Sequence, residues 1–198
     1  MDMSLRLKQR SLIATNLAEH LEVVNSLSIL CQEAIRDAAV TMIKSLALGK
    51  TLFWCGNGGS AADCQHMAAE LVGRFKKDRK PLRSIALTTD SSILTCISND
   101  YEYEDIFSRQ LNALASEGDV LIVISTSGNS KNVVNALKAA QNLSVSTIAL
   151  LGKDGGKCTA YSNLSIIVPS NSTARIQEVH ILIGHMLCDL IEMELELA

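Results

Sequence analysis

Three apolar runs, each short enough to be a strand and each ending in a glycine- or hydroxyl-rich loop that opens a helix, constrain this chain most. Thr51–Cys55 leads into Gly56-Asn57-Gly58-Gly59-Ser60-Ala61-Ala62-Asp63. Asp119–Ile124 leads into Ser125-Thr126-Ser127-Gly128-Asn129-Ser130, and Ser146–Leu151 leads into Gly152-Lys153-Asp154-Gly155-Gly156. A continuous apolar run is the mark of a strand covered on both faces of a parallel sheet. Ser84–Leu87 and Leu164–Val168 read as two further strands. Helical patterns fall between them: from the first loop to about Phe75, Ser91–Ile97 with Asn99-Asp100 as the turn after it, Ile106–Ala115, Lys131–Asn142, and a long last helix over Thr173–Leu197. Strands alternating with helices predict an α/β fold, a central parallel sheet flanked by helices as an α/β/α sandwich. In such sheets ligands bind beyond the carboxyl ends of the strands, and all three loops fall on that edge.

At 198 residues the chain suits one domain, 1–198. An N-terminal helical extension covers about 5–48 and the α/β core about 51–198. In the extension Leu17, Leu21, Val24, Leu27 and Leu30 recur at three- and four-residue steps, predicting one or two long amphipathic helices. Their stripe can pack on a partner chain or on the chain's own core. Gly49-Lys50-Thr51 is no P-loop: position 44 is Lys where the upstream glycine is required, and the triplet precedes a strand. Gly49 is read as a helix C-cap.

Charge excludes some functions. A net charge of −3 gives no basic field for nucleic acid or anionic lipid, and the basic cluster Arg74–Lys80 reads as a solvated loop. No apolar run approaches the ~20 residues of a membrane helix. Arg6, Lys8 and Arg10 are followed by no apolar core, so a secretory signal is not expected. Six scattered cysteines without a C-x-x-C pair then read as reduced, mostly buried thiols of a cytoplasmic protein.

The loops carry the chemistry. The first is a turn whose backbone can approach a ligand, with Ser60 as N-cap of a helix whose free N–H groups favour an anion. His66 and Glu70, at i and i+4, share one face of that helix. In the second loop the hydroxyls of Ser125, Thr126, Ser127 and Ser130 at a helix N-terminus make a phosphate cradle. The competing reading is a dinucleotide site, since Gly56–Ala61 fits G-x-G-x-x-A and Asp90 ends the next strand; the second hydroxyl loop weighs against it. Gln177 and His185 lie on the last helix, about 12 Å apart along its axis. Joint work on one ion or ligand then takes long side chains or groups from two chains. His180 reads as structural, and His20 as part of a solvated face.

The run Gly56-Asn57-Gly58-Gly59-Ser60-Ala61-Ala62-Asp63…His66…Glu70-Leu71-Val72-Gly73-Arg74-Phe75 resembles the signature of the phosphoheptose isomerase family, within the sugar isomerase (SIS) domain superfamily. Ser98-Asn99-Asp100, the hydroxyl loop, Gly152–Gly156 and Arg175-Ile176-Gln177-Glu178…His185 fit it too, in order and over nearly the whole chain. The hydroxyl loop alone indicates the superfamily; His66, Glu70, Gln177 and His185 together are more specific. Ala174 departs from the pattern, since some members carry Asp there.

The resemblance implies interconversion of sedoheptulose 7-phosphate and D-glycero-D-manno-heptose 7-phosphate, the first step toward nucleotide-activated heptose for lipopolysaccharide core or other surface glycans. It implies a homotetramer with active sites between subunits, and one zinc ion per subunit held by His66, Glu70, Gln177 and His185. Asn57, Gly58, Gly59, Glu70, Asn99, Asp100 and Gln177 would contact the sugar. Ser60, Ser125, Thr126, Ser127 and Ser130 would hold the phosphate. Moving one proton between C1 and C2 takes a base, here Glu70, and an acid or shuttle, here His185. The alternative is a non-enzymatic SIS-type regulator that binds a replication initiator protein. Such regulators lack the acid/base pair, and this chain has both residues. A sugar-phosphate-sensing domain would lack it too.

Overall fold

The computed structural model describes residues 3–195. The predicted end of the last helix at Leu197 lies outside them. Two helices come first, α1 (Met3–Leu30) and α2 (Gln32–Ala47), and Gly49 follows α2 with φ +71, as a C-cap glycine should. The core then alternates: β1 (Leu52–Gly56), α3 (Gly59–Val72), β2 (Ser84–Ala86), α4 (Ser91–Asp100), a 3₁₀ turn at Tyr103–Asp105, α5 (Ser108–Leu114), β3 (Val120–Ser125), α6 (Lys131–Asn142), β4 (Ser146–Gly152), a second 3₁₀ turn at Gly156–Ala160, β5 (Leu164–Val168) and α7 (Thr173–Leu195).

All neighbouring strands pair in parallel, in the order β2-β1-β3-β4-β5. The apolar runs behave as two-faced strands. Leu52, Trp54, Ile122, Ile124, Leu150 and Ile166 point into a core with α2, α3 and α7. Phe53, Cys55, Leu121, Val123, Ala149 and Leu151 point into a second core with α5 and α6. From β1 the chain crosses by α3 to one side, and from β3 by α6 to the other. The strand order therefore reverses between β1 and β3, where a crevice opens at the carboxyl edge. Asn57 and Asn132 meet there, each amide nitrogen 2.9 Å from the other's oxygen.

Three local readings need correction. Helix α3 starts earlier than a Ser60 N-cap requires: Gly58, at φ +58, is the cap, and Ser60 is buried in the first turn. Asn99 and Asp100 do not form a turn but end α4, because Tyr101 N–H still reaches the carbonyl of Ile97 at 3.0 Å. His20 does not merely face water; its Nδ1 lies 2.7 Å from Glu178 on α7. Beside it Arg175, 8% exposed, donates to the Asn16 carbonyl at 2.7 Å. These contacts dock the middle of α1 on α7. Of the predicted α1 stripe only Leu27 is buried, with Val23 buried beside it, while Leu17, Leu21 and Leu30 stay exposed, as do Leu5, Leu12 and Ile13. The cysteines are all free thiols, and all are buried except Cys96. No described helix is long and apolar enough to cross a membrane.

Candidate active site

Helices α3 and α7 lie side by side and run in the same direction. Three contacts set their register. A Cβ on Gly59 would meet Gln177 Nε2 at 2.6 Å, and one on Gly184 would meet the Met67 sulfur at 2.3 Å. Further along, the Glu192 carboxylate accepts from the Phe75 N–H at 3.0 Å. The two glycines let the helices approach closely enough for side chains of both to share one face.

On that face His66, Glu70 and His185 come together, with one ligand atom from each within 4.8 Å of the others. His66 Nε2 is 3.0 Å from Glu70 Oε1. The two imidazoles meet edge to face at 5.2 Å between centroids, and Phe75 stacks on His185 at 5.4 Å and 16°. Two nitrogen donors and a carboxylate, converging and half-open to solvent, match what a borderline divalent cation such as zinc accepts. Gln177 stands elsewhere on the seam, against Gly59 at the start of α3.

Across the crevice the hydroxyl loop is braced by its own backbone. Ser125 Oγ accepts from Gly128 N–H at 3.1 Å, and Ser127 Oγ accepts from Asn129 N–H at 3.2 Å. Gly128, at φ +62, touches the third loop so closely that a Cβ would lie 1.9 Å from the Gly155 carbonyl oxygen. Ser130 is the N-cap residue of α6 but makes no side-chain cap bond, and no described hydrogen bond engages the Thr126 hydroxyl. These two hydroxyls and the first amides of α6 remain available to an anion. Asn129 anchors the third loop by accepting from Lys157 N–H at 3.1 Å.

Two small cavities flank Asn57. One, of about 130 Å³, is lined by Gly56, Gly58, Thr88 and Phe107; the other, of about 240 Å³, by Glu104, Ser130 and Lys131. Tyr103 borders both and donates to Asn57 Oδ1 at 2.9 Å. Neither Tyr103 nor Asn132 carries a motif, and sequence reasoning missed them. Asn99 and Asp100 stay exposed, their described side-chain bonds confined to α4. Hydrogen bonds from Asn99 and then Cys96 hold the Asp100 carboxyl below its usual pKa. His180 is buried, donates Nε2–H to the Leu151 carbonyl at 3.0 Å, and leaves Nδ1 without a partner; burial lowers its pKa to about 4.

A model of the SIS domain matches residues 17–152. The chain is 50% identical over 186 residues to the phosphoheptose isomerase of Aliarcobacter butzleri, covering 94% of this chain and 98% of that one. The solved phosphoheptose isomerase GmhA from Neisseria gonorrhoeae superposes with a TM-score of 0.88 at 44% identity, over 94% of this chain and 98% of the other. A phosphoheptose isomerase structure from Francisella tularensis gives 0.91 at 36% identity, over 94% and 99%.

Proposed function

The chain belongs to the phosphoheptose isomerase family of SIS-domain proteins, and on that premise we propose that it interconverts sedoheptulose 7-phosphate and D-glycero-D-manno-heptose 7-phosphate. The observation that carries this is the convergence of His66, Glu70 and His185 on the α3–α7 seam, in a fold whose carboxyl edge also holds a hydroxyl-lined helix N-terminus. The loop grips a phosphate seven carbons along, and the seam handles C1 and C2.

Glu70 takes the proton from C1 of the ketose and returns it to C2. Its Oε1 faces His66, and no described hydrogen bond engages Oε2, which is the oxygen free to act. His185, held flat by Phe75, moves the proton between the two sugar oxygens as the enediol(ate) forms and collapses. Asn57 and Gly58–Gly59 orient the sugar chain, with Asn99, Asp100 and Gln177 as further sugar contacts. Ser60, Ser125, Thr126, Ser127 and Ser130 serve the phosphate, Ser60 from inside the first turn of α3.

His66, Glu70 and His185 would hold zinc, which when bound supplies a Lewis acid for the sugar oxygens. Gln177 of the same chain serves the glycine turn, since it lies about two turns of α7 before His185. As a fourth ligand it would come from a neighbouring chain. That suits a homotetramer with sites between subunits, for which the exposed apolar stripe of α1 offers a surface. A cytoplasmic enzyme with a phosphorylated sugar as its partner is the corresponding cellular reading. The regulator alternative is not favoured, because Glu70 and His185 meet as a pair.

The test is conversion of sedoheptulose 7-phosphate by the purified protein, followed by NMR, with chelator and then with zinc restored. Turnover lost and regained supports both the isomerase and the metal. Turnover indifferent to chelation removes the metal, and no turnover in zinc-replete protein removes the isomerase.

A further inference from the structure

We propose that the buried Arg79–Glu192 pair positions the proton-transfer groups, holding Phe75 flat against His185 and fixing the Glu70 end of α3. This rests on the isomerase reading for its functional meaning, but its geometry stands by itself.

Glu192 lies near the end of α7 with its side chain 3% exposed, and Arg79 is 11% exposed. The carboxylate is fully engaged. Oε1 accepts from Phe75 N–H at 3.0 Å and from Arg79 Nε–H at 2.9 Å. Oε2 accepts from Lys76 N–H at 2.9 Å and Lys77 N–H at 3.0 Å. Three successive backbone N–H groups converging on one point form a nest of the kind that binds anions. Here an internal carboxylate fills it, so the backbone of 75–77 has little freedom to shift.

Arg79 turns the other way. One terminal nitrogen donates to the Glu70 carbonyl at 2.9 Å, and the other to the Leu71 carbonyl at 2.9 Å and the Lys80 carbonyl at 3.2 Å. The Glu70 and Leu71 carbonyls belong to the last turn of α3, where helical partners run out and a cation complements the dipole. The pair thus grips the backbone of Glu70 directly and reaches His185 through Phe75. The Lys76 ammonium also lies over the Phe75 ring, 5.1 Å from its centroid, and is itself paired with Asp189 at 2.7 Å. His66, His185, Phe75 and Lys76 thus touch in series, from His66 on α3 to the Lys76 ion pair with Asp189 on α7.

Stability alone is a poor explanation for such a pair. Desolvating two charges costs about as much as their attraction returns, and an apolar pair of the same volume would serve a core as well. What an apolar pair cannot do is bind three N–H groups and two helix-end carbonyls in fixed directions. Displacement of a reacting group by about 1 Å can lower a rate on the order of a hundredfold.

The experiment uses the full chain as purified, with Glu192→Gln and Phe75→Leu. The first loosens the nest; the second removes only the ring and leaves the clamp intact, so it still reports if the first variant folds poorly. Three readouts are taken: kcat and KM for sedoheptulose 7-phosphate, the melting temperature, and the chemical shift of the His185 ring protons at fixed pH, assigned with a His185 variant. The expected result is a kcat lower by about ten- to a hundredfold in both variants. KM should stay within about twofold, since the phosphate cradle is untouched. The ring-current shift should be lost in Phe75→Leu and reduced in Glu192→Gln. Unchanged kcat and ring shift in Glu192→Gln, with only the melting temperature lowered, would make the pair a structural fixture and overturn the proposal. Unchanged kcat in Phe75→Leu would overturn it too. If the parent protein turns over no sugar, the isomerase reading falls, while the ring shift in the two variants still decides the positioning.

Discussion

The α3–α7 seam brings its chemistry on side chains: two imidazoles, a carboxylate, and a ring stacked behind them. The loops after β3 and β4 bring theirs mostly on backbone, with Ser125 and Ser127 turned inward to brace the turn. Groups on helices can be exchanged one at a time with the frame intact. A cradle of backbone amides cannot lose a donor without losing its shape. The seam is therefore where substitutions should separate activity from folding, and the loop is where the two should fall together.

The sharpest way to break that contrast is Glu70→Gln. Loss of the base should lower kcat by about a thousandfold, within the range for general acid–base catalysis, with the melting temperature nearly unchanged. Near-normal turnover would remove Glu70 from the mechanism. Chelation should act on the same half alone: turnover falls, while protection by inorganic phosphate against heating persists, because the cradle holds no metal ligand.

On the loop side, Gly128→Ala should fail through the fold. Its Cβ would lie 1.9 Å from the Gly155 carbonyl oxygen at a φ of +62, so a loss of about 3 kcal/mol or more is expected, read by denaturant titration. A variant that kept its stability and lost only phosphate affinity would show the two loops to be less rigidly locked than described.

His180 joins the halves, running from α7 to the Leu151 carbonyl at the end of β4. Its folded pKa, about 4, lies below the ordinary 6.5. The unfolded chain binds the extra proton first as pH falls. The associated stability is complete above about 6.5 and is lost progressively toward 4, by up to about 3 kcal/mol. His180→Gln should flatten that limb of the stability curve, measured by melting at pH 7 and pH 4.5. The smallest effect is expected from Ser130→Ala: a KM raised a few-fold with kcat kept, on the order of 1 kcal/mol for one neutral hydrogen bond, read from steady-state kinetics.

Much of the fold was legible because its signals are local. Apolar runs with flanking turns located the strands, and α6 and β5 begin and end as the pattern predicts. The glycine turn, the hydroxyl loop and the pairing of His66 with Glu70 follow from spacing within one element. Spacing placed His185 on a helix, and only the family resemblance set it beside His66, because the close approach depends on the glycines at 59 and 184 letting α3 and α7 pack tightly. The start of α3 was misjudged because capping preference favoured Ser60, whereas the left-handed backbone at Gly58 ends the turn sooner. His20 and Glu192 carried no signal. Each is an unremarkable polar residue on a helix until the partner helix or loop is brought against it from far along the chain. Arg74–Lys80 read as a solvated basic loop, yet Arg79 within it is tied down at both ends.

The seam has a consequence for biosynthesis. All five strands, the glycine turn, the hydroxyl loop and the whole of α3 leave the ribosome before α7 does. A nascent chain that has reached Ser172 holds His66, Glu70 and the hydroxyl loop but not His185. It also shows the apolar side of its sheet, Leu150 and Ile166 among others, that α7 will cover. Until the last helix arrives, the newborn protein lacks one corner of the His66–Glu70–His185 cluster and is adhesive, and that interval is when a chaperone would matter most to it.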